Sequence, residues 1–218
     1  MRFYVLRNPQ PDETDAVTDW LAVDGTRRGA APRCPVCHGY IGRMPQLPPW
    51  RFELETWGKR FGDLAFKTSA DLLVSERFKD AFLASGLTGL SGFNPAEIIK
   101  VIARRGKVPV PMPGYFTVVV GRSRAAIDDR ASGMDYFERW TCDECRIGNH
   151  IRLRRLILEP NTWSGEDVFI ARGLPGTIIT SERFKQFCDR HAFSNCVLVA
   201  AERFHYDHLP SQPGLASR

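Results

Sequence analysis

The chain has 218 residues, 43% of them hydrophobic and 25% charged: enough apolar material for one large core or two small ones, and too much for a disordered chain. Its formal net charge is +5, and no run reaches the ~18 uninterrupted apolar residues of a membrane helix. The opening "MRFYVLRNPQPDE" has neither the apolar stretch nor the small-residue cleavage site of a signal peptide, so a cytoplasmic address is expected, where six cysteines read as metal ligands and core thiols before disulfides.

In chain order, the first element is a strand over residues 2–6, "RFYVL", rich in β-branched and aromatic residues. A long proline-bearing stretch, residues 7–33, reads as loose and leads to "CPVC" with Cys34 and Cys37. "DLLV" then predicts a short buried strand ended by Ser75, whose hydroxyl caps a helix; Glu76 sits in the first turn, where the helix dipole favours a carboxylate. Phe78 and Phe82 are four apart on one helical face, Gly86 closes the helix, and a strand follows near residues 98–102. "KVPVPMPGYF", with three prolines, predicts an extended tether. Beyond it come a strand over residues 115–121, a polar loop to "CDEC" with Cys142 and Cys145, a strand at "TIIT", a helix capped by Ser181, and a strand near residues 195–199.

The second series repeats the first. The word "SERFK" stands at residues 75–79 and 181–185, and the cysteine pairs lie 108 positions apart (142 − 34) against 106 for the serines (181 − 75). Trp57 and Trp163 keep the same interval, and "GDLAF" at residues 62–66 matches "EDVFI" at 166–170. The pattern reads as a tandem duplication. The expected fold class is α+β: two related halves, residues 1–109 and 110–218, each with short strands and one main helix, forming one compact unit. Aligned on "SERFK", Cys188 falls on Phe82 and Cys196 on Leu90, so both read as buried thiols.

A Cys-x-x-Cys turn aims two sulfurs at one point, and two such turns complete the tetrahedral four-thiolate site that zinc prefers. One pair alone would equally suit a redox dithiol. Matching pairs in a duplicated chain favour a single structural zinc on Cys34, Cys37, Cys142 and Cys145, clamping one half to the other across 104 residues of chain (142 − 37, less one).

The paired cysteines flank "SGLTGLSGFNPAEI" at residues 85–98, and the chain continues into "WSGEDVFIARGLPGTIITSERFKQF" at residues 163–187. This resembles the double-CXXCG motif proteins known chiefly from myxobacteria, some of which are immunity proteins against toxins exchanged between neighbouring cells. The resemblance implies a protein that binds and neutralises a cognate toxin, with the four cysteines as its paired motif. In that family glycine directly follows each second cysteine. Here His38 precedes Gly39, and Arg146 and Ile147 precede Gly148, so looser ligand loops are expected. His38 reads as solvent-facing rather than as a ligand.

No HExxH, GxSxG or Walker-type phosphate loop is present, and the histidine pair of "HYDH" near the C-terminus reads as an accident, so no enzyme or small-molecule substrate is expected. The alternative is a zinc-containing nucleic-acid-binding protein, prompted by "RRGK", "GRSR" and "RLRR". Acidic residues are interspersed among these clusters, and no aromatic-rich RNA-binding motif accompanies them. For the toxin-facing surface, alternation along "IRLRRLIL" places Arg152 and Arg154 on one face.

Overall fold

The computed structural model describes residues 1–23, 27–68 and 71–207. It is a mixed α+β structure, mostly sheet, with three α-helices among the described residues. The strands up to the prolines are β1 (Phe3–Arg7), β2 (Thr18–Ala22), β3 (Arg51–Thr56), β4 (Leu64–Thr68), β5 (Asp71–Ser75) and β6 (Leu90–Ala103). Beyond them are β7 (Tyr115–Val120), β8 (Arg122–Ala126), β9 (Asp135–Glu138), β10 (Asn149–Leu153), β11 (Val168–Arg172), β12 (Ile178–Ser181), β13 (Val197–Ala200) and β14 (Tyr206–Asp207). Helix α1 (Glu76–Ala84) follows β5, α2 (Asp129–Ser132) is a single turn, and α3 (Glu182–His191) follows β12.

The repeated word builds the same junction twice. Ser75 and Ser181 both have extended backbone and close β5 and β12 respectively. The hydroxyl of each accepts the N–H three residues on, from Phe78 and from Phe184, at 3.2 Å in both cases, which satisfies one orphan donor of the helix. The apolar residues that follow lie on one helical face, burying Phe78 and Phe82 on α1 and Phe184, Phe187 and Cys188 on α3. Each cap is itself held by a buried carboxylate. Ser75 Oγ donates to Asp63 at 2.7 Å and Ser181 Oγ donates to Asp167 at 2.7 Å. Arg77 and Arg183, inside the repeated word, reach the same two aspartates at 2.5 and 3.2 Å.

One five-stranded sheet runs β13-β1-β12-β11-β8, and a closed barrel runs β2-β3-β6-β7-β5-β4. Within the barrel, the run β6-β7-β5-β4-β2 is antiparallel at its first three pairings and parallel at the last. The five-stranded sheet has the same directions in the same order. In both, the partners come from opposite sides of residue 110: β1 pairs with β12 (Phe3 opposite Ser181) and β7 pairs with β5 (Tyr115 opposite Ser75). Strand β3 makes the difference between them. It joins β2 on one side and β6 on the other and so closes the barrel, while β8 and β13 are left as edges. A small sheet, β14-β10-β9, flanks this body.

Three apolar clusters follow from this layout. The central one joins Phe78 and Phe82 of α1 to Phe184, Phe187 and Cys188 of α3, with Leu6, Val74 and Ile178 from the sheets. Burying each phenylalanine contributes on the order of 1.5–3 kcal/mol. Trp20, Phe52, Leu54 and Tyr115 fill the barrel, and Val5, Phe169, Ile179 and Leu153 pack the other face of the five-stranded sheet. Cys188 is buried and Cys196 is partly buried against the central cluster; both are free thiols.

Three sequence expectations need correction. The loose region before Cys34 contains β2, whose Thr18 and Trp20 turn inward, and the polar loop before Cys142 contains β8, α2 and β9. "IRLRRLIL" is a strand only as far as Leu153, because the chain turns there and the N–H groups of Arg154 and Arg155 bond to Ser132 O. Among the described residues, no helix is long and apolar enough to cross a membrane.

Candidate metal centre

The first cysteine loop is a tight turn. Cys34 N–H donates to Gly39 O at 2.8 Å and His38 N–H returns to Cys34 O at 3.0 Å. In the second loop Arg146 N–H donates to Cys142 O at 2.8 Å, and Gly173 N–H fastens Cys145 O to the end of β11 at 3.1 Å. The residue after each second cysteine has left-handed backbone, with φ of 59° at His38 and 54° at Arg146. That is the conformation glycine adopts most cheaply, and here two side-chain-bearing residues adopt it. The ligand loops are therefore as tightly wound as glycine would make them, contrary to the looser geometry expected.

The winding turns backbone N–H groups onto sulfur. Cys34 Sγ accepts from the N–H of Cys37 and then of Val36, which hold its thiol down at about 7. Gly39 N–H pulls Cys37 the same way, but burial and the neighbouring thiols outweigh it and leave that thiol raised. Cys145 is pushed up to about 12, chiefly by burial, although Ile147 N–H opposes the rise. Four acidic groups crowded together resist shared ionisation; a cation among them removes that resistance.

Cys34 Sγ lies 3.8 Å from Cys142 Sγ, and Cys37 Sγ lies 3.7 Å from Cys145 Sγ. All four sulfurs fall within 4.8 Å of one another. A disulfide needs about 2.05 Å, so these are four separate thiols. A tetrahedron with metal–sulfur bonds of about 2.3 Å has sulfur–sulfur edges of about 3.8 Å, so the spacing and donor set fit a tetrathiolate metal ion.

Sequence reasoning found the four cysteines and missed the cations beside them. Cys34, Cys145, Arg122 and Arg172 share the wall of a cavity of about 110 Å³. Arg172 Nε donates to Arg124 O at 2.9 Å, and its Nη1 approaches the carbonyls of Asp143 and Glu144 at 3.5 Å. Arg122 leans on the first loop so closely that a Cβ on Gly42 would fall 2.3 Å from its Nη2. The Arg122 guanidinium feels the charge of Cys145 and would offset part of the negative charge on a thiolate cluster. "GRSR" marked Arg122 and Arg124 as a basic cluster, but nothing local ties either Arg122 or Arg172 to cysteines far off in the chain.

The other singled-out residues lie elsewhere. His38 is exposed and outside the sulfur cluster, His205 is exposed, and His208 lies outside the described residues. Arg152 sits in β10 with Nε 3.0 Å from Asp207 and Nη1 3.4 Å from Asp135. Arg154, just past the strand, is exposed and lies along Gly133.

A sequence profile described as "Immunity protein family (Imm11)" matches residues 6–203 of the chain. No curated protein matches it.

Proposed function

The chain belongs to the Imm11 immunity protein family, and from that premise we propose that it acts in the cytoplasm, binding a cognate toxin in a stoichiometric complex and neutralising it without chemistry of its own. The match over residues 6–203, nearly the whole chain, carries this reading. The metal is zinc, structural, held by Cys34, Cys37, Cys142 and Cys145. It supplies only charge and four bonds, which clasp loops from opposite sides of residue 110. The matching strand orders and the two serine–aspartate caps support a duplication, with residues 1–109 and 110–218 as two copies folded into one compact body.

A nucleic-acid role finds less support, since Arg104 is paired with Glu55 and Arg152 with two aspartates. For the same reason Arg152 serves as an anchor of its own sheet. Arg154, exposed and without an ion pair among the described residues, contributes a steering charge to toxin association. The test is co-expression with candidate toxins encoded beside its gene: protection of the cells and a 1:1 complex on gel filtration with one of them are expected. A wild-type chain that neither protects nor forms that complex would overturn the reading.

A further inference from the structure

Helices α1 and α3 part beyond their phenylalanine contacts and leave a groove of about 340 Å³ between them. On the α3 side Arg183, Phe187 and Arg190 stand at three- and four-residue spacing, one stripe of the helix. The matching positions on α1, 106 residues earlier, include Ala81 and Ala84, opposite Phe187 and Arg190. The repeated word gives both helices the same start, and the chain then departs from it by placing two small residues on one helix and a large ring and a cation on the other. Those alanines hold the groove open.

The chemistry of the groove is one-sided. Its floor is apolar, from Ala81, Ala84, Leu87 and Phe187, and among the described residues no carboxylate lines it. Arg190 makes no ion pair among the described residues. The side chain of Arg183 touches buried Asp167 yet is 56% exposed. Beside Ala84, Leu83 is 62% exposed on the surface of α1.

We propose that this groove is the toxin-docking site, receiving an acidic segment of the toxin that lays an apolar side chain over Ala81, Ala84 and Phe187 and sets a carboxylate against Arg190. The inference rests on the immunity reading and adds to it a place and a partner chemistry. A buried apolar anchor ringed by a charge pair is the arrangement that concentrates binding energy in few residues.

The toxin found by that co-expression test, purified, is the probe, and association and dissociation rates are measured over a salt series. Ala84→Trp fills the groove and Arg190→Glu reverses its charge; both positions are exposed, and unchanged melting temperature and metal content verify the fold. Ala84→Trp is expected to weaken binding about 100-fold, mostly through faster dissociation, and Arg190→Glu about tenfold or more with a flatter salt dependence. Should Ala84→Trp melt early, Arg190→Glu carries the test alone. Wild-type affinity in the folded variants overturns the groove while leaving the immunity reading intact. Failure of the wild-type chain itself to bind removes both.

Discussion

Asp63 and Asp167 perform the same task in exchange: each holds the helix cap of its own segment and grips the loop that follows the other helix. Asp63 Oδ2 accepts the N–H of Ser194, after α3, at 2.8 Å, and Asp167 Oδ2 accepts the N–H of Thr88, after α1, at 3.1 Å. The backbone N–H of each aspartate answers through the hydroxyl of the same residue, Ser194 Oγ at 3.0 Å and Thr88 Oγ1 at 3.3 Å. Ser194 and Thr88 are themselves 106 positions apart (194 − 88). Two buried carboxylates therefore cross-brace the molecule.

Removing one brace should be expensive. Asp167 is 1% exposed, and Asp167→Ala leaves the Ser181 hydroxyl, the Thr88 N–H and Arg183 without their acceptor. At about 1–3 kcal/mol for each buried group left unsatisfied, a loss of about 3 kcal/mol or more is expected in urea unfolding. A loss below about 1 kcal/mol would show that water replaces the carboxylate cheaply.

Acid should release the other brace. Burial alone would raise the Asp63 carboxyl, but Arg77, Ser194 and Ser75 outweigh it and hold it below the usual carboxylate range. A depressed folded-state value stabilises the fold above the unfolded value of about 3.9, and the stabilisation is lost as pH falls through the folded value. The stability gap between the wild type and Asp63→Asn should therefore be constant from pH 7 to about 5 and shrink below about 4. Unfolding midpoints of the two proteins at matched pH measure it, and a gap that stays level into acid contradicts the assignment.

The four-sulfur cluster predicts metal content. Protein purified without chelator should carry about one zinc per chain by elemental analysis, and Cys142→Ser should lose both the metal and much of the stability. Well under half an equivalent in the wild type would sink the zinc assignment.

Two glycines on the same loop should respond differently to alanine. At Gly89, φ is +102° and an added Cβ would sit 1.8 Å from Val168 O, against the backbone of β11. At Gly86, φ is +68° with nothing within 4 Å. Gly86→Ala should cost only about 1 kcal/mol, from left-handed backbone. Gly89→Ala must also displace a strand, so its thermal midpoint should fall well below that of Gly86→Ala. Equal midpoints would refute the close crossing.

His38→Gly offers the converse case. Relief of left-handed backbone gains about 1–2 kcal/mol, while glycine's freedom in the unfolded chain takes back about 0.5–1. The variant should match or slightly exceed the wild type in stability and keep its metal. A clear loss of either would mean that the His38 side chain contributes to the loop.

The parts legible in the sequence are those fixed locally. The serine caps, the buried face of α1 and the cysteine turns each depend on neighbours a few residues away. Strand β3 was equally readable, since "RFELET" buries Phe52, Leu54 and Thr56 and turns Arg51, Glu53 and Glu55 outward, but it lay between longer irregular stretches. The pairing of β1 with β12, and of β7 with β5, was not legible: a repeat says that two units are alike, not that each takes a strand from the other. The ion pairs of Arg152 were hidden for a similar reason. Alternation gives the face of a strand, while the aspartates that occupy its charge lie 17 and 55 residues away.

The placement of β1 has a consequence in time. Its two neighbours, β12 and β13, occupy residues 178–200. On a ribosome adding about 5–20 residues per second, β1 waits on the order of ten seconds or more, unpaired, for partners that begin 171 residues later (178 − 7). The five-stranded sheet, and with it the cluster that seats α1 against α3, therefore forms only after residues 178–200 have been made. A chain truncated before residue 178 leaves β1 with neither of its neighbours, and α1 without the helix it packs against.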